Sequence, residues 1–184
     1  MPKPTRYGFL LAMTKMKKII PTEITESNIA QIINLLSNTP RKLEDLCTRF
    51  SDEQFVKPLG TGERSLTENI AHLLHCEAIA SEFIYLALLK NEATFNDIHP
   101  EREYGKLLRY DLFPFKSLVD YFTFRRTVLL RVLTSLKAEQ WSRSIPEKGK
   151  IRQESVYWRA RSLALHELEH INDIEIKLAK LEVK

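Results

Sequence analysis

Residues 65–84 read SLTENIAHLLHCEAIASEFI and contain the clearest helix signal in the chain. Ser65 and Glu68 have the spacing of a capping box, in which each side chain satisfies a free backbone N–H group at the start of a helix. Apolar residues then recur every three or four positions, and no Gly or Pro occurs before Lys90. This pattern predicts an amphipathic helix over about residues 65–90.

Three further segments share the helical period, at about residues 23–50, 114–136 and 154–182. No run of alternating β-branched residues predicts a strand. The glycines lie outside these segments, but Pro40 falls inside the first one and predicts a kink or a break there. The sequence therefore predicts an all-α four-helix bundle, with residues 91–113 as a long crossover connection.

The charge is unevenly distributed along the 184 residues, which include 28 Lys and Arg against 24 Asp and Glu. Five of the bases and no acid lie in residues 1–18, so the rest of the chain has 23 bases against 24 acids. A near-neutral body argues against nucleic-acid binding, which needs clustered cations. We expect a basic, poorly ordered N-terminal tail over residues 1–22 and one bundle domain over residues 23–184.

Membrane and export signals are weak. No stretch of eighteen uninterrupted apolar residues predicts a membrane span. The short apolar run at residues 7–13 is followed by lysines and not by a small-residue cleavage site, so a signal peptide is not expected. Cys47 and Cys76 are too few for a disulfide framework. These observations predict a cytoplasmic protein.

The stretch LHELEHI, residues 165–171, matches the zinc-protease pattern H-E-x-x-H and also its inverse, H-x-x-E-H. His166 and His170 are four residues apart, so one helix face presents both to a single metal ion. A catalytic zinc site usually has three protein ligands. Asp173 and Ile176 stand where the metzincin pattern has Gly and His, which disfavours a protease.

A third ligand must then come from upstream, where several candidates lie. His72 is on the apolar face of the second predicted helix, and such faces carry the metal sites of helical bundles. His75 lies toward the edge of that face, and His99 lies in the predicted crossover. Cys76, one turn beyond His72, is a further candidate, although a small buried hydrophobe is its commoner role. The order of preference is His72, then His75, then His99.

Glu167 lies within the apolar stripe of the last predicted helix. A carboxylate in such a position needs a partner, such as a metal-bound histidine or a water. Either Glu167 or Glu169 could orient a ligand histidine or accept a proton. Glu167 is the preferred catalytic candidate, because a solvated position on the helix is expected more for Glu169 than for Glu167. The alternative is that both histidines of the motif are partly exposed polar residues without a ligand, because pairs at this spacing also arise by chance.

The same residues resemble the DinB-like superfamily of four-helix bundles. Residues 65–84 are similar to the second helix of the family, with the histidine of its A-H-L core. RSLALHELEHINDIEIKL, residues 161–178, is similar to the last helix with its H-x-x-x-H pair. LKAEQW, residues 136–141, resembles the short element that closes the third helix.

The resemblance implies a metal triad of His72, His166 and His170, a bundle with a long crossover, and a homodimer. Members of the family are described as divalent-metal proteins, and some are thiol-dependent transferases. The sequence departs from the family pattern at Arg64, where Trp is common, and at His75, where an acidic residue is common. These departures leave the triad intact and change the expected pocket.

The leading hypothesis is a metal-dependent enzyme that acts on a small molecule, with zinc or nickel as its ion. Three neutral imidazoles leave the double charge of the ion intact, so a bound water or thiol loses a proton near neutral pH. Water then gives hydrolysis, and a low-molecular-weight thiol as co-substrate gives S-transfer. The alternative is a non-catalytic binding or regulatory module without metal, or with a structural metal that His75 or Cys76 completes as fourth ligand.

Overall fold

The structure, a computed structural model, describes residues 19–96, 98–151 and 153–182, with side chains to residue 180. In these residues four long helices pack side by side, so the predicted all-α four-helix bundle is confirmed. The long helices are α1 (Glu26–Arg49), α3 (Leu66–Leu89), α5 (Phe115–Thr134) and α7 (Val156–Glu182), and the short helices are α2 (Asp52–Phe55), α4 (Lys106–Leu108) and α6 (Ala138–Trp141).

Helix α3 begins where the capping box predicted. The Ser65 hydroxyl accepts a hydrogen bond from the backbone N–H of Glu68 at 3.1 Å, and the Glu68 carboxylate accepts one from the backbone N–H of Ser65 at 2.7 Å. By length and composition α3 could cross a membrane, since its most apolar window has a mean hydropathy of 1.3. More than half of that window is buried, and the helix packs against α5 and α7. Its apolar character therefore follows from its place inside the bundle.

Helix α1 continues through Pro40, so of the predicted kink or break, the break is absent. Proline has no N–H, which frees the carbonyl oxygen of Leu36 one turn earlier. Arg126 of α5 donates to that oxygen from Nη1 at 2.8 Å. A side chain from the neighbouring helix thus replaces the backbone hydrogen bond that proline removes.

The core has two apolar clusters with a polar layer between them. On α5, Phe122 belongs to one cluster and Leu129 to the other, and the buried Arg126 lies between them. On α7, Leu165 and Ile171 are divided in the same way, and the intervening residues include the predicted histidines. Bundle cores commonly hold metals and cofactors on side chains from facing helices. The polar layer is where such a site belongs.

The crossover between α3 and α5 is mostly helical. A π-helix, Pro100–Gly105, leads into α4, and a 3₁₀ turn, Tyr110–Leu112, follows. His99 begins the π-helix, and its ring Nδ1 accepts hydrogen bonds from two backbone N–H groups at 3.2 Å each. Arg109 has a φ of 49°, which is uncommon for a residue other than glycine. The segment packs against α3.

A two-stranded antiparallel ladder, which the sequence did not predict, precedes α7. Strand β1, Ser144–Ile145, pairs with β2, Glu154–Ser155. Two residues per strand are too few to show an alternating pattern. The last helix therefore begins at Val156 instead of at about Glu154.

Of the predicted tail, residues 1–18 lie outside the described residues. Ile20 is fully buried in the core. Arg161 donates from Nε to the carbonyl oxygen of Ile20 at 2.7 Å. The hydroxyl of Tyr157 donates to the carbonyl oxygen of Pro21, also at 2.7 Å. Residues 20 and 21 are therefore tied to α7.

Candidate metal centre

Three of the predicted histidines meet in the polar layer. His72 comes from α3, and His166 and His170 come from successive turns of α7. One ring nitrogen from each lies within 4.8 Å of the others, and the Nε2 atoms of His72 and His166 are 3.1 Å apart. The packing of α3 against α7 thus assembles the predicted triad.

Burial keeps these imidazoles neutral. Desolvation lowers the pKa of His166 to about 4 and that of His170 to about 3, and it also lowers the pKa of His72. A neutral ring carries a lone pair, which is the form that coordinates a metal. Three imidazole nitrogens suit zinc or nickel better than calcium or magnesium, which prefer oxygen ligands. The donor set therefore fits the divalent ion that the sequence predicted.

Glu101 of the π-helix fixes the orientation of His72. The Nδ1 atom of His72 donates a hydrogen bond to the Glu101 carboxylate, which leaves Nε2 directed at the other two histidines. Burial alone would raise the pKa of Glu101, but the bond from His72 and the charge of Arg64 outweigh it and lower that pKa. The carboxylate–histidine pair is a common support for metal ligands. Sequence reasoning missed Glu101, because nothing in the crossover pattern marks it.

The other candidates lie outside the triad. His75 is 3% exposed, so it is deeply buried and does not lie at the edge of the helix face as predicted. His99 caps the π-helix. Cys76 contacts the His72 ring, with Sγ 3.6 Å from Nε2, but it is not part of the converging group. Burial raises the pKa of the Cys76 thiol to about 12.

Glu167 is fully buried, and its partner is an arginine. Both of its carboxylate oxygens accept hydrogen bonds from the guanidinium of Arg126, which is also fully buried. This pairing supplies the partner that burial requires, in place of the metal-bound histidine or water that the sequence suggested. The catalytic role of Glu167 stays a prediction. Arg126 had a sequence signal that was missed, since it is a charged residue on the apolar stripe of α5.

Three cavities are each lined by one histidine of the triad. One of about 390 Å³ is lined by His72 and by polar residues of the crossover. A second, of about 230 Å³, is lined by His166 together with Cys76 and Leu163. A third, of about 570 Å³, is lined by His170 together with Asn69 and Lys177. Small molecules can therefore approach the triad.

Comparison with known proteins identifies the family and agrees with the four-helix bundle fold. Residues 35–174 match the family model of the DinB superfamily. Among solved structures, YfiT from Bacillus subtilis aligns with a TM-score of 0.77 and 14% sequence identity, over 88% of this chain and 92% of that one. It is described as a probable metal-dependent hydrolase with an unusual four-helix bundle topology. No curated protein matches the chain significantly.

Proposed function

The chain belongs to the DinB superfamily, and from this premise and the three-histidine cluster we propose that it is a divalent-metal-dependent hydrolase that acts on a small molecule. The observation that carries the proposal is the convergence of three neutral imidazoles within 4.8 Å. The description of YfiT as a probable metal-dependent hydrolase supports the reaction type.

The geometry favours a catalytic centre over a purely structural one. A structural zinc site is usually closed by four protein ligands, whereas a catalytic site has three and leaves a position open. Among the described residues, no Asp, Glu or Cys and no fourth His joins the cluster. The flanking cavities give a substrate access to the remaining position. A module with a purely structural metal would need no open coordination position.

The residues of the chain have separable roles in this proposal. A divalent ion, when bound, supplies a Lewis acid that lowers the pKa of a water or thiol beside it. Glu101 holds the ring of His72 in the tautomer whose Nε2 lone pair faces the other histidines. We therefore assign to Glu101 the role of positioning His72. Glu167 is not free to accept a proton in this arrangement, because both of its oxygens are held by Arg126.

Transfer of a low-molecular-weight thiol is the second candidate reaction. The nearest protein thiol is Cys76, and burial raises its pKa to about 12. Cys76 is not part of the group whose ligand atoms converge, so the proposal assigns the role of nucleophile in any sulfur chemistry to an external thiol. The resemblance to thiol-dependent transferases supports the same candidate.

The metal proposal is tested by elemental analysis of protein purified without chelator and then titrated with zinc or nickel. We expect about one ion per chain, and replacement of His166 or His170 by Ala should abolish stoichiometric uptake. The matched control is His99→Asn, which removes a histidine outside the cluster and keeps a side chain that can cap the π-helix. Wild-type protein that takes up neither ion would refute the proposal.

The reaction type needs a separate assay. The metal-loaded protein is offered a panel of small esters, amides and reactive electrophiles, with and without a small thiol. Turnover that needs metal but no thiol supports hydrolysis, whereas turnover that consumes the thiol supports transfer. Replacing the ion by cobalt allows thiolate coordination to be seen directly in the absorption spectrum. The homodimer, also a prediction, is tested by light scattering.

A further inference from the structure

The cavity beside His72 has a size typical of small-molecule sites. It measures about 390 Å³, within the range of roughly 300–1,000 Å³ usual for ligand pockets. Helix α3 forms one side and the crossover forms the other. Because His72 lines it, a molecule in this cavity would lie directly beside the triad.

His75 is buried against this cavity without hydrogen-bond partners. It is 3% exposed, it lines the cavity, and neither of its ring nitrogens has a partner among the described residues. Its ring stacks on Tyr110, with 5.2 Å between ring centroids, so its orientation is held. Leaving buried polar atoms unpaired is unfavourable, and native proteins rarely tolerate it. A ligand in the cavity would satisfy His75.

The acidic residues of the cavity already have partners. Glu68 caps the start of α3, and Glu101 accepts the hydrogen bond from the triad histidine. Both oxygens of Asp111 accept hydrogen bonds from Arg109, at 3.0 Å each. Each of the three carboxylates thus has at least one hydrogen-bond donor within the protein.

Two basic residues of the cavity are less engaged. Lys106 is exposed and has no ion pair among the described residues. Within the part of the chain that the structure describes, the ion pair of Arg64 is a long one, 3.6 Å, with Glu101. The donors of the cavity that lack a close partner among the described residues are therefore cationic, and the ring of His75 adds a further polar group without one. Such a set favours an anionic oxygen group.

The backbone around the cavity is unusual in two places. Glu101 belongs to a π-helix, and Arg109 adopts the left-handed conformation with a φ of 49°. π-Helical turns and left-handed residues other than glycine are both unfavourable locally, and both occur frequently at functional sites. Both features lie in the crossover segment that forms one side of the cavity, and each carries a lining side chain.

We propose that this cavity binds an oxyanion of the substrate, either a carboxylate or a phosphate. Lys106 and Arg64 neutralise its charge, and His75 hydrogen-bonds to it. The inference rests on the proposed function in one respect, namely that the anion anchors the substrate while the reacting bond lies at the triad. The substrate class is then a small acid or phosphate ester.

The experiment uses calorimetric titration of the metal-free protein at fixed ionic strength, with inorganic phosphate and acetate as separate probes. Acetamide is the neutral control. We expect saturable binding of at least one anion and none of acetamide. Preferential binding of phosphate identifies the phosphate ester class, and preferential binding of acetate identifies the carboxylate class. Because no metal is present, failure of the metal proposal would leave this result unaffected.

Two variants locate the bound anion. Lys106→Ala should weaken binding roughly five- to tenfold, whereas Lys57→Ala, an exposed lysine on a different cavity, should leave it unchanged. His75→Phe keeps the ring stack with Tyr110 and removes both nitrogens, so affinity should fall about tenfold while the melting temperature does not decrease. Absence of saturable binding, or equal affinities in the two lysine variants, overturns the proposal.

Discussion

Replacing Glu167 by Gln leaves the buried guanidinium of Arg126 without its counter-charge. Both side chains are at most 1% exposed, so water cannot solvate the unpaired cation. Gln has almost the same volume as Glu and can still accept one hydrogen bond. The variant therefore tests the charge and not the packing.

The expected loss is large relative to the stability of the protein. Removing one partner of a buried ion pair typically costs about 3–5 kcal/mol, against a total of about 5–15 kcal/mol for a folded domain. The paired replacement Arg126→Met with Glu167→Leu should be far milder, because buried pairs can often be replaced by apolar residues at little cost. One cost remains. The carbonyl of Leu36, which Pro40 leaves free, loses the donor that Arg126 provides.

That remaining cost makes the prediction specific. Adding Pro40→Ala restores a backbone N–H for Leu36, so it should stabilise the Met–Leu variant by about 1–3 kcal/mol more than it stabilises the wild type. Urea unfolding followed by far-ultraviolet circular dichroism measures each value. A loss below about 1 kcal/mol for Glu167→Gln, or equal effects of Pro40→Ala in both backgrounds, would show that this reasoning is wrong. Reduced metal uptake by Glu167→Gln at unchanged stability would instead support its predicted catalytic role.

Three further outcomes are expected. Glu101→Gln should weaken zinc affinity by about 10–100-fold, measured by competition with a chelating dye, because it disturbs the support of a ligand histidine. Acidification from pH 7.5 to 5.5 should lower the free energy of unfolding of the metal-free protein by on the order of 1 kcal/mol for each of His166 and His170. Their folded pKa values, about 4 and about 3, lie below the ordinary 6.5, so the unfolded chain takes up more protons. Replacing both His166 and His170 by Gln should reduce the pH dependence of the unfolding free energy, measured by urea titration. Ser65→Ala should lower the unfolding free energy by about 1 kcal/mol in the same assay, through loss of the α3 cap.

The helices and the triad could be predicted because their signals are local. The capping box of α3 involves residues three apart, and His166 and His170 share a face because they are one turn apart. The choice of His72 as the third histidine needed only the apolar periodicity of its own helix, together with the family resemblance. Short-range rules were therefore enough to place the three rings on facing helices.

The remaining parts of the site depend on long-range contacts. Glu101 meets His72 across 29 positions, and Arg126 meets Glu167 across 41. Charged residues on two apolar stripes indicate that buried charges need partners, but they do not indicate which residues pair. For Glu101 even that signal is absent, because its π-helix has no recognisable period. The donor that compensates for Pro40 was missed for the same reason, since Arg126 belongs to a different helix.

Glu101 connects the two proposals physically. Its carboxylate accepts the hydrogen bond of His72, lies 3.6 Å from Arg64, and is 4.0 Å from the nearest nitrogen of His75. An anion held by Arg64 competes with Glu101 for the guanidinium. Such an anion would therefore alter the position or charge environment of the carboxylate that orients His72. Linkage requires any such effect to be reciprocal, so an ion at the triad must change anion affinity by the same factor. The difference in anion affinity with and without zinc therefore measures how tightly Glu101 couples the cavity to the metal centre.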